Sequence, residues 1–122
     1  MNATTNAMAA YGRTSTPTKT DRGIEFEVFA EVTRTIAAST QSGKINFPKL
    51  ASALHVNRRL WIALATDVLD VKNELSPNLR AQIFYLSEFV NDHTRKVLKG
   101  NANSDVLREI NLSVMRGLNF GS

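Results

Sequence analysis

Cysteine is absent from the chain, which removes disulfides, thiolate metal ligands and a cysteine nucleophile at once. Histidine is nearly absent: His55 and His93 fall on different expected helices and have no metal-ligand spacing. A solvated or capping role suits the first, and a partly buried structural role suits the second. No apolar run approaches the roughly 20 residues needed to span a bilayer. The first 20 residues lack the uninterrupted apolar segment of a secretory signal. There is no phosphate-binding Gly-rich loop, no serine in a nucleophile-elbow motif and no alternating run with a hairpin turn of the Asn-Gly type. Asp67 and Asp70 share a helix face, where solvation or bonds to Arg59 and its neighbours explain them better than catalysis. The expectation is a non-enzymatic protein with no catalytic residues, no cofactor and no metal, and lack of cysteine fits a reducing cytosol.

What is present is ordinary in bulk. The 122 residues, 43% hydrophobic and 21% charged, suit one soluble domain that buries roughly two-thirds of its unfolded surface. A formal charge of +4 permits acidic or nucleic-acid partners, but the basic residues are scattered and form no block. Residues 1–20 are rich in Thr, Ala and Asn, carry Arg13 and Lys19 and contain no acid. A faint likeness to a transit peptide yields to the simpler reading of a flexible tail.

After the tail the pattern is helical throughout. Ile24, Val28, Val32 and Ile36 recur every four residues with Phe29 beside them, giving a first helix from about Asp21. Gln41-Ser42-Gly43 ends it, with Gly43 suited to the left-handed position. A short helix follows with Pro48 in its first turn and Phe47, Leu50, Ala51 and Leu54 inward. His55-Val56-Asn57 reads as a tight connection, with Asn57 capping a third helix to about Glu74. On that helix Leu60, Trp61, Leu64, Val68 and Val71 cluster, extended by Ile62, Ala65 and Leu69. Ser76-Pro77 starts a fourth helix to about Lys99, with Leu79, Ile83, Leu86, Val90 and Val97 as its core stripe. Ser104-Asp105 opens a fifth with Val106, Leu107, Ile110, Val114 and Leu118 inward. The expected fold is an all-α bundle of about five helices over residues 21–118, with residues 119–122 as a C-terminal tail.

The segment 48–72 also imitates a helix-turn-helix. Leu50, Ala51, Leu54, Val56, Trp61 and Leu64 sit where such a motif places its inward residues. Against it, Ile62 and Ala63 are poor readers of base edges, and His55 stands where glycine is common. A nucleic-acid-binding regulator is therefore the alternative reading rather than the leading one.

Taken in order, these segments resemble the FlaF family of flagellar biosynthesis proteins of alphaproteobacteria. The likeness runs through Val32-Thr33-Arg34, Asn57-Arg58-Arg59-Leu60-Trp61, Asn73-Glu74-Leu75, Leu79-Arg80-Ala81-Gln82-Ile83, Phe89-Val90, Thr94-Arg95, Ile110-Asn111 and Met115-Arg116-Gly117-Leu118. Ala10-Tyr11 adds a short N-terminal piece, and Ser76-Pro77 departs from the Leu-Pro of many members. The resemblance implies a small, non-enzymatic cytoplasmic protein acting in flagellin synthesis and export. It also implies flagellin as partner and a functional link to the regulator FlbT. Chaperoning and post-transcriptional regulation both stay open.

A partner surface is expected on the fourth helix. Tyr85 and Phe89, four apart, share a face, and Phe84 points to the opposite flank near Arg80 and Arg95. Exposed aromatics beside cations are typical anchors, so Phe84, Tyr85, Phe89, Arg95 and Lys96 are the leading candidates, unless another element covers the rings. Arg58 and Arg59, placed in a first helical turn, oppose the helix dipole and call for acidic contacts, internal or from a partner. Tyr11 is a further candidate if the tail orders on binding. Trp61 reads as core.

Overall fold

The computed structural model describes residues 21–120, and side chains within residues 26–117. Four α-helices follow one another: α1 (Asp21–Ser39), α2 (Phe47–Val68), α3 (Pro77–Leu98) and α4 (Asp105–Phe120), with a 3-10 turn at Gln41–Gly43. No strand occurs among the described residues. The expected all-α bundle is present, with α1 packed on α2 and α4, α2 packed on α3, and α3 meeting α4 less closely.

Local chemistry explains most helix ends. Ser42 and Gly43 both have positive φ, 59° and 72°, and they stop α1 where glycine was expected to do so. Asn46 caps α2 by accepting from the Lys49 amide at 3.1 Å, with Pro48 in the first turn. Ser76 caps α3 in the same way through the Leu79 amide, with Pro77 first in the helix. At the other end of α3, Gly100 adopts φ 80°. The Asn101 amide then reaches back to the Lys96 carbonyl and the Gly100 amide to that of Val97, the paired bonds of a Schellman stop.

Two expectations fail within α2. The connection at His55-Val56-Asn57 is absent: residues 47–68 form one unbroken helix. None of these three residues forbids helix, and Asn57 is drawn fully into the interior, so it caps nothing. Because the turn is missing, residues 48–72 do not have helix-turn-helix geometry. Burying Leu54 and Leu50 therefore does not bury Phe47, which is 46% exposed, and Ala51 is half-buried. The helix also ends at Val68 instead of Glu74. Asp70 accepts from the Lys72 amide and Asn73 from the Leu75 amide, local bonds that compete with helix continuation. The Arg80 guanidinium donates to the carbonyls of Val68 at 2.8 Å and Asp70 at 3.0 Å. Val71 and Leu69, expected inside, consequently stand in solvent, as does Ile62.

The core gathers Val28, Phe29, Val32 and Ile36 of α1, Leu54, Leu60, Trp61, Leu64 and Val68 of α2, Ile83 and Val90 of α3, and Leu107 of α4. Trp61 is at its centre, with the Phe29 ring edge-on to it at 5.5 Å. Its indole Nε1 donates to Asn111 Oδ1 at 2.9 Å, and Asn111 Nδ2 donates to Asn57 Oδ1 at 2.8 Å. The direction of this chain is forced, since indole can only donate. Asn57 Nδ2 is left buried without a partner, at a cost of about 1–3 kcal/mol.

Candidate partner-binding surface

The surface is built on α3 by helical periodicity. Ile83, Ser87, Val90, Thr94 and Val97 form the buried stripe. Ser87 and Thr94 fit it by small size, and their hydroxyls donate to the carbonyls of Trp61 and Val90. Leu79 and Leu86, expected in the stripe, are half-buried at its margin. On the far side, Tyr85, Phe89, Asp92 and Lys96 recur at spacings of four, three and four, and all are exposed. Tyr85 is 72% exposed and Phe89 45%. No described element covers those two rings.

Phe84 departs from expectation. It is half-buried, and instead of pointing to a separate flank its ring meets Tyr85 edge-on at 6.3 Å. Phe89 stacks on His93, centroids 5.4 Å apart and planes within 15°. His93 Nε2 donates to the Asn103 carbonyl at 2.9 Å, which ties the stack to the connection before α4. The outcome is two separate ring pairs along one side of α3, Phe84 with Tyr85 and Phe89 with His93. His93 is half-buried, in keeping with the structural role expected of it, and its i, i+4 relation to Phe89 is the sequence signal for the stack.

Arg95 and Lys96 close the line, both ion-paired to Asp92, at 3.5 and 3.4 Å. The Lys96 ammonium, by hydrogen bond and charge, and then Arg95 hold the Asp92 carboxyl below its usual range. Such exposed pairs reorganise readily, leaving both cations able to turn toward an incoming carboxylate. Arg58 and Arg59 are elsewhere. They lie in the middle of α2, not in a first turn, because the helix begins at Phe47. The dipole argument for acidic contacts thus lapses, and among the described residues neither has a carboxylate within ion-pair distance. Arg58 is half-buried and Arg59 exposed, and neither joins the aromatic line. Tyr11 lies outside the described residues. His55 stands exposed on α2, and no group of three metal-ligating side chains occurs among the described residues. No helix of the described residues is long and apolar enough to cross a membrane.

A family model described as flagellar protein FlaF matches residues 7–118. The chain belongs to the FlaF family. No curated protein and no solved structure matches it. FlaF membership gives the molecule a flagellar setting. Asn57, Trp61 and Asn111, which lie in resembling stretches, are interior residues of one hydrogen-bonded junction, and Leu60 is buried in the core. Phe89, also in a resembling stretch of this FlaF chain, is by contrast 45% exposed.

Proposed function

We propose that this protein binds flagellin through the outward face of α3 and thereby acts in flagellin synthesis and export, as a secretion chaperone. The observation that carries the reading is the exposed pair Tyr85 and Phe89, flanked by Arg95 and Lys96. The flagellin assignment rests on what the FlaF resemblance implies, and the family match supplies the flagellar setting. A terminal amphipathic helix of flagellin is the natural occupant, since a helix lays its apolar side on such a ridge at i, i+3, i+4 and i+7 spacing. Covering one aromatic ring of this kind contributes on the order of 2 kcal/mol, enough for a tenfold change in affinity.

The test is co-purification from flagellated cells followed by titration with purified flagellin. A stoichiometric complex that survives nuclease, and that Phe89→Ala weakens by roughly tenfold or more while the fold stays intact, supports the reading. Unchanged flagellin affinity in a well-folded Phe89→Ala protein removes the surface from the mechanism. A complex that nuclease dissolves points instead to a nucleic-acid-binding regulator.

A further inference from the structure

A second site stands apart from the α3 face and does not depend on the flagellin reading. An open cleft of about 560 Å³ lies between the end of α1 and the start of α4, lined by Arg34 and Arg108 together with Ala37, Ala38, Gln41 and Ser42. The two guanidinium groups come from different helices, and neither has a carboxylate within ion-pair distance among the described residues. Two like charges brought to one cleft repel each other unless an anion lies between them.

Topology adds to this. In an up-and-down bundle the α1–α2 and α3–α4 connections fall at one end, and this end carries Lys44, Lys49, Arg95, Lys96, Lys99 and Arg108. The acids of this end are Asp92, paired with Arg95 and Lys96, and Asp105 and Glu109 at the start of α4, so its cations outnumber its acids. At the opposite end, the α2–α3 connection holds Asp70 and Glu74 against Lys72. Among the described residues cations predominate at the end where the cleft opens, and an anion is drawn toward it.

The geometry points to the Arg34–Arg108 cleft as a binding site for carboxylate side chains of an acidic peptide segment. Arginine forks match carboxylates in bidentate geometry. Ala37 and Ala38 offer apolar surface for the methylenes and backbone that carry them.

The test is a titration of the full chain with a blocked tetraglutamate peptide at low salt, following the Arg side-chain Nε–H signals by NMR. Saturable shifts centred on Arg34 and Arg108 are expected. Arg34→Gln with Arg108→Gln should weaken binding by roughly tenfold, as loss of charge-assisted hydrogen bonds predicts. Lys44→Gln with Lys99→Gln removes the same charge from the same end outside the cleft and should cost clearly less. Equal losses in the two double variants would mean a diffuse field and overturn the site. Arg34 is exposed, so Arg34→Gln alone repeats the test without risk to the fold. Inorganic phosphate, or a short single-stranded RNA, that shifts the same two signals with higher affinity than the peptide overturns the acidic-peptide assignment.

Discussion

Trp61 and Phe89 are large aromatic side chains on helices that pack against each other, and they meet opposite fates. Trp61 is sealed at the centre, its ring met edge-on by Phe29 and its one polar atom bonded to Asn111. Phe89 stands at the surface, 45% exposed, with only His93 laid flat against it. The difference teaches what aromatic rings do in a chain that has few. A ring with a polar handle can organise an interior, because its hydrogen bond dictates which neighbours fit. A ring without one, stacked on a neighbour at the surface, leaves part of its apolar area to solvent.

The strongest way to break the comparison is Trp61→Ala. Removing a buried tryptophan costs about 3–5 kcal/mol, and it also strips the donor from Asn111. For a domain of this size the melting temperature should fall by roughly 15–30 °C, read by circular dichroism. A fall of a few degrees only would mean that the interior does not depend on this ring. Asn111→Leu comes next. It leaves Trp61 Nε1 and Asn57 without their partner, which should cost about 1–3 kcal/mol although a larger apolar side chain has been added. Stabilisation by that change would show that the buried polar chain serves some purpose other than stability.

The two regions were not equally legible in the sequence. Helix starts at Ser76-Pro77 and Ser104-Asp105, and the stop at Gly43, are written in local chemistry, so reading them needed no tertiary context. Trp61 was legible as core from its place on the apolar arc, but its link to Asn111, 50 residues on, was not. Asn57 shows why. Its residue type favours a cap, yet burial beside Asn111 decides its role, and burial depends on helices distant in sequence. Misreading Asn57 created the false break in α2, which in turn misplaced Arg58 and Arg59 in a first turn. On α3, the i, i+4 rule was enough to put Tyr85 and Phe89 on one outward face. The tilt of Phe84 toward Tyr85 depends on ring contact, which spacing alone does not give.

A smaller effect sharpens the surface side of the comparison. Tyr85→Ala with Phe89→Ala should change the melting temperature by only a few degrees, since both rings already meet water and little area is re-exposed. Thermal denaturation beside Trp61→Ala in the same buffer is the check. A drop approaching that of Trp61→Ala would place these rings in the fold's own energetics and dissolve the contrast.

The smallest expected effect concerns Asp92, between Phe89 and the two cations. Its carboxyl is held below the ordinary value of 3.8 by the hydrogen bond and charge of Lys96, then by Arg95. A depressed carboxylate stabilises the fold only while it is charged. The contribution is present above the unfolded value and is lost as pH falls through the lower folded value. Neutral pH therefore lies on the plateau, and the acid limb alone should respond. Asp92→Asn should leave the melting temperature at pH 7 nearly unchanged, because an exposed pair of this kind is weak and screened by salt. Its acid limb should be slightly flatter than that of the unaltered chain. In the unaltered chain, NMR titration of the Asp92 side chain should give a midpoint below 3.8 that rises toward it as salt is added. A midpoint above 3.8 would mean that Arg95 and Lys96 are turned away from Asp92 in solution, already free to meet a partner.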